Sequence, residues 1–113
     1  MKHLTTICIA LLFSAFLTAC GEPVPPEKAA YVGEWQDKAM YLLITEDGSV
    51  SYQRLKNGGN VSVDGPLKGF TDEGFEVGIG PMSTTFVVNQ PPFEDGGEWH
   101  MVVDDVLLTK TAD

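Results

Sequence analysis

From residue 31 onward, apolar side chains recur at alternate positions, and turn-forming clusters cut the alternation at intervals of roughly 8 to 12 residues. A period of two sends successive side chains to opposite faces, so each stretch reads as a short half-buried strand, and no stretch keeps a helical period. The pattern predicts strands over 31–35, 40–45, 50–55, 61–63, 67–70, 75–79, 84–89, 99–103 and 106–110. The turn signals between them include Glu46-Asp47-Gly48-Ser49, Lys56-Asn57-Gly58-Gly59-Asn60, Asp64-Gly65, Thr71-Asp72-Glu73-Gly74, Gly80-Pro81-Met82-Ser83 and Asp104-Asp105. Asn, Asp and Gly tolerate the positive φ that two-residue hairpin loops require, so neighbours along the chain should pair antiparallel.

Gly78 and Gly80 interrupt an otherwise regular strand, which marks a bend where a sheet curls. The expectation is an all-β fold: a small up-and-down antiparallel meander of about eight short strands, closing into a barrel or a strongly curled sheet. A flat two-sheet sandwich is the alternative. Alternation assigns the core to Trp35, Met40, Leu42, Ile44, Val50, Tyr52, Phe75, Val77, Ile79, Phe86, Val88, Trp99, Met101, Val103 and Leu108. Ser51, Gln53, Glu76, Glu98 and His100 fall on the opposite face, where Leu43, Val87, Val102 and Leu107 form either a minor apolar patch or a cover on the barrel where the linker packs over it. A segment of about 80 residues buries about 60% of its unfolded surface, enough to fold alone, and a monomer is expected.

The first twenty residues follow another pattern. Lys2 precedes an uncharged apolar run over 4–19, 16 residues long, against the roughly 20 that a membrane-spanning helix needs. This is the layout of a secretory signal helix, residues 1–19, rather than a transmembrane anchor. Leu17, Thr18, Ala19 and Cys20 close it, and together they resemble the bacterial lipobox, the processing site of membrane lipoproteins. The resemblance implies cleavage between Ala19 and Cys20, a diacylglyceryl group on the Cys20 thiol, and acylation of the new amino terminus. Multiple acyl chains hold a protein stably at a lipid membrane where one holds only marginally. Gly21 follows Cys20 where an Asp would favour inner-membrane retention in enterobacterial-type lipoproteins. The implied address is the cell envelope, at the periplasmic face of the outer membrane if the source is Gram-negative.

The remaining cysteine, Cys8, lies inside the signal, so one mature chain has no thiol pair for a disulfide, a redox motif or a thiolate metal site. Residues 20–30 combine the lipidated Cys with Pro23, Pro25 and Pro26, and read as a semi-extended tether on the order of 30 Å long. The folded domain then spans residues 31–113. Without the signal, sixteen acidic and six basic residues remain, a net charge of −10. That balance excludes nucleic-acid binding, which depends on clustered cations, and gives no attraction to anionic headgroups.

Gly33, Glu34 and Trp35 form a G-x-W tripeptide on the first predicted strand, and this resembles the start of lipocalins and lipocalin-like lipoproteins. The resemblance implies an up-and-down barrel that carries a small apolar ligand. The chain is shorter than a full lipocalin, so its own side chains are expected to fill the interior.

Reactive groups are scarce. His100, the single histidine after the signal, sits between Trp99 and Met101 on the face opposite the core, with no nucleophile or acid placed beside it by sequence. The acidic groups Asp72, Glu73, Glu76 and Glu94, Asp95, Glu98 lack a calcium-loop spacing and read as solvated turns. No catalytic residue, cofactor or metal site is expected. Residues 89–99 form the longest irregular segment and carry Phe93 among prolines and acids, so Phe93, Glu94, Asp95 and Glu98 are the candidate partner contact. Anchor, tether and catalytic poverty together indicate a protein-interaction module with a basic envelope protein as partner. The alternative is a lipocalin-like carrier or sensor of a small apolar ligand.

Overall fold

The computed structural model describes residues 21–113. The signal segment, with Ala19 and Cys20, lies outside the described residues. A short 3₁₀ helix, Pro26–Tyr31, precedes strands β1 (Gly33–Gln36), β2 (Met40–Ile44), β3 (Ser49–Lys56), β4 (Gly59–Phe70), β5 (Gly74–Ile79), β6 (Met82–Asp95), β7 (Glu98–Val103) and β8 (Val106–Ala112). Each strand pairs antiparallel with the next, and β8 returns to β1, so the eight close into one ring. The meander and its closure are as the alternation predicts, and the flat sandwich is excluded.

Turn chemistry accounts for the hairpins. Asn57 and Gly58, Gly96 and Gly97, and Asp104 and Asp105 all have positive φ and form two-residue loops between β3 and β4, β6 and β7, and β7 and β8. Two turn signals behave differently. Asp64-Gly65 lies inside β4, where Asp64 faces Ser51 and Gly65 faces Val50, so the segments 61–63 and 67–70 are one bent strand. The Pro-rich segment after Asn89 is also strand, because β6 continues to Asp95 through two register shifts.

These two long strands explain how the ring closes. The first part of β4 pairs with β3 and its last residues with β5. Likewise β6 pairs with β5 up to Val87 and with β7 from Val88 onward. Each strand changes partner at a bulge, where local twist turns the sheet through a corner. Nine predicted strands thus become eight, and two of them are much longer than expected.

The core is one cluster: Tyr31, Trp35, Met40, Leu42, Ile44, Val50, Tyr52, Leu67, Phe75, Val77, Phe86, Met101, Val103 and Leu108. Phe86 lies in the middle, tilted against Tyr52 with ring centroids 4.8 Å apart and stacked on Phe75 at 5.2 Å. Val88 packs partly buried against this cluster. Two expected members are missing. Ile79 is 74% exposed because β5 outruns the closed part of the ring, and Trp99 is 38% exposed because the β6–β7 hairpin does the same at the other end. Both have the inward parity that alternation gave them; the ring stops short of them.

The segment read as a stand-off tether is laid against the ring from Gly21 onward. Glu22 N–H donates to the Leu67 carbonyl at 3.1 Å and Val24 N–H to the Glu46 carbonyl at 3.1 Å, while Val24 packs on the core. Its close approach requires Gly48, where an added Cβ would fall 2.1 Å from the Glu22 carbonyl oxygen. The 3₁₀ helix then covers one end of the ring with Tyr31, whose ring meets Phe70 at 5.0 Å. The extended reach expected of the prolines is lost because that backbone finds partners on β4 and the β2–β3 turn.

Trp35→Ala should destabilise residues 21–113 by about 3–5 kcal/mol, the cost of emptying a large core site. Ile79→Ala should stay within about 0.5 kcal/mol, as exposed positions do. Urea unfolding of the two variants measures the difference.

Candidate functional site

Two features stand out from the ring surface: the β6–β7 hairpin with its acidic tip, and a polar cluster around Glu34. The hairpin carries every residue expected to contact a partner. Phe93 lies opposite His100, Glu94 opposite Trp99, and Asp95 opposite Glu98. Opposed residues share a face, so Phe93, Asp95, Glu98 and His100 are on the outer side and Glu94 and Trp99 on the inner. The structure brings the four predicted residues to one tip but divides them between its two faces.

Asp95 and Glu98 flank the two-glycine loop as directly opposed like charges, an arrangement that destabilises a sheet. Both are exposed. Phe93 is half-buried against the imidazole of His100, with centroids 5.6 Å apart. His100 Nδ1 lies 3.1 Å from the Thr109 hydroxyl and faces outward, as expected. Among the described residues, the imidazole's hydrogen-bond partner is the Thr109 hydroxyl and not a carboxylate.

On the inner side, Lys110 reaches across the end of the ring. Its ammonium sits 5.0 Å from the Trp35 ring centroid and 5.9 Å from that of Trp99, and donates to the Ala30 carbonyl at 3.1 Å. Asp113 is 3.8 Å away but almost fully exposed, so that ion pair contributes little. The same ammonium therefore links the ring, the 3₁₀ helix and the exposed Trp99. The sequence signal was present, since Lys110 continues the inward parity of Val106 and Leu108.

Glu34, on the outer face of β1, accepts from Tyr41 Oη at 2.9 Å, from the Thr111 hydroxyl at 3.1 Å and from Gln36 Nε2 at 3.2 Å. These donors, Tyr41 foremost, hold its carboxyl below the ordinary glutamate range, and the same bond raises the Tyr41 phenol. Gln36 also meets the Thr111 hydroxyl at 3.2 Å, so the cluster ties β8 to β1 and β2 where the ring closes.

Clefts are shallow and lie on the surface. One of about 400 Å³ runs under Val24, Pro26, Ala29 and Val32, outside the strands. Another of about 270 Å³ joins Thr71, Asp72, Glu73, Glu76 and Thr85. Among the described residues no three His, Cys, Asp or Glu side chains are grouped to share a metal ion. No described helix is long and apolar enough to cross a membrane.

No protein-family model, curated protein or solved structure matches this chain. The G-x-W tripeptide nevertheless has a local physical meaning. At Gly33, with φ of +140°, an added Cβ would fall 2.7 Å from the Ala112 carbonyl oxygen, so only glycine lets the end of β8 close on β1. Two residues later Trp35 fills the ring end, and its indole N–H donates to the Tyr31 carbonyl at 2.9 Å.

Two outcomes test this geometry. Glu98→Lys turns the like-charge pair with Asp95 into an opposite one and should raise stability by about 0.2–1 kcal/mol, read as an upward shift of the unfolding midpoint. A carboxyl depressed in the folded state contributes stability above its unfolded pKa and loses it as pH falls through the folded one. Tyr41→Phe should therefore cost stability at neutral pH, and the gap to wild type should shrink as acid protonates Glu34. Unfolding curves at stepped pH, with a carboxyl NMR titration of Glu34, check the sign.

Proposed function

We propose that this protein is a lipid-anchored lipoprotein of the cell envelope, held by acylated Cys20, whose barrel is a non-catalytic module for binding another envelope protein. The observation that carries the binding role is the opposed pair Asp95 and Glu98 at the end of a projecting hairpin, beside exposed Trp99 and half-buried Phe93. Uncompensated like charges at a tip are relieved by a cationic surface, and aromatic residues beside them supply contact area, so a basic envelope protein fits best. The absence of Asp after Cys20 supports the periplasmic face of the outer membrane in a Gram-negative source.

The docked course of residues 21–31 refines the anchored geometry. Cys20 is one peptide bond from Gly21, which sits against Gly48 and Pro66. Acyl chains on Cys20 would thus tie the barrel to the bilayer by the end bearing the β2–β3 turn, without a free spacer. A carrier or sensor of a small apolar ligand is the second reading, favoured by an eight-strand ring that starts with Gly33 and Trp35. Trp35, Phe75, Phe86, Met101 and Leu108 occupy the interior such a ligand would need, which ranks it lower.

Expressed at full length in a bacterial host, wild type should partition into the detergent phase and Cys20→Ser should not. Equal recovery of the two would overturn the anchor. Asp95→Asn with Glu98→Gln should weaken capture of a basic partner from envelope extracts without lowering the unfolding midpoint; unchanged capture would overturn the hairpin contact.

A further inference from the structure

Several stretches of strand have a neighbour on one side only, among them the first residues of β4, from Gly59 to Val63, two parts of β6, 82–86 and 89–95, and both ends of β8. Unpaired strand edges expose main-chain donors and acceptors that another chain can complete. In β6, Pro91 and Pro92 block the second part, while the first, 82–86, and the β4 edge carry neither proline nor charge. The β4 edge is set apart by the basic side chains of its neighbour β3, Arg54 and Lys56. Lys56 and Gly59 flank the two-residue loop as a hydrogen-bonded pair, so alternation turns the N–H and C=O groups of Asn60 and Ser62 away from β3.

Apolar side chains left exposed surround the same gap. Val61 lies on the inner face at 46% exposure. Leu67 pairs with Val77, so the register carried upward sets Ile79 beside Gly65, and a strand added along Gly59–Val63 would continue the line of β5 just beyond Ile79. Ile79 and its partner Met82, which is 80% exposed, would then gain a covering neighbour.

We infer that the free edge of β4 binds an extended polypeptide of a partner protein, added as a further strand, that carries both apolar and acidic residues. Charge selects the partner. Four of the six basic residues after the signal cluster here: Arg54 and Lys56 on β3, Lys68 reaching the Gly80 carbonyl at 3.0 Å, and Lys38 in the β1–β2 turn that bonds Leu55 through Ala39. A second copy fits poorly, because symmetric edge pairing would bring together two chains that each carry a net charge of −10. The inference builds on the interaction-module reading but uses a surface at the other end from the acidic hairpin, so the two fail separately.

The test uses full-length protein in detergent micelles and three labelled nine-residue peptides in which valine alternates with glutamate, glutamine or lysine. The glutamate peptide should bind most tightly and protect the Asn60 and Ser62 amides from hydrogen exchange. Ser62→Pro, which deletes an outward N–H, should weaken binding about tenfold, the loss of one hydrogen bond. Should that proline disturb the hairpin, Arg54→Glu with Lys56→Glu keeps the backbone intact and should reverse the preference toward the lysine peptide. Freely exchanging Asn60 and Ser62 amides with all three peptides would overturn the inference. So would equal binding of all three, protection that grows with protein concentration alone, or perturbations confined to Phe93–Glu98; the last would leave the acidic hairpin as the docking surface.

Discussion

An indole buried to zero exposure must still give its N–H to an acceptor, and in this molecule the acceptor is the backbone of the chain that precedes the barrel. The bond from Trp35 to the Tyr31 carbonyl fixes the 3₁₀ helix over one end of the ring. With that helix in place, Ala30 offers its carbonyl to Lys110, Tyr31 meets Phe70, and Lys28 lies 5.5 Å from the Phe70 ring. Without it, the largest core side chain would keep an orphaned donor and the ring end would open to water. The N-terminal segment is thus part of the folded unit, and residue 31 is too late a boundary for it.

The course of that segment separates what was legible in the sequence from what was not. Strand identity and facing follow from alternation, because a period of two is a local property of the pleated backbone: Leu42, Val77, Met101 and Leu108 are all where the pattern puts them. Ring dimensions are not local. Whether an inward residue is covered depends on how far its neighbours extend, so Ile79 and Trp99 kept their faces and lost their burial. Asp64-Gly65 and Pro91-Pro92 misled for a related reason. Each is a turn signal in isolation, but pairing with β3 or β7 supplies enough partner bonds to keep the chain extended.

The candidate site shows the same division. Phe93, Glu94, Asp95 and Glu98 are candidates because prolines and acids crowd one segment, yet their split between two faces depends on the register of β7. Glu34, Tyr41 and Thr111 could not be grouped from sequence, since they meet only when the ring closes. Their bonds help define that closure, and the polar outer face thereby contributes to an architecture otherwise set by apolar parity.

Closure has a temporal side as well. Seven of the eight strand pairings join neighbours along the chain, and only β1 with β8 joins its two ends, Glu34 meeting Ala112. Local hairpins carry small loop-closure entropies and form early, whereas the terminal pairing must gather nearly the whole domain. Of the eight strands, β8 is also the last to leave the ribosome or any translocation channel. Until its final residues arrive the meander has two open edges, so the growing chain stays threadable, and vulnerable to wrong strand partners, up to the moment it becomes a ring.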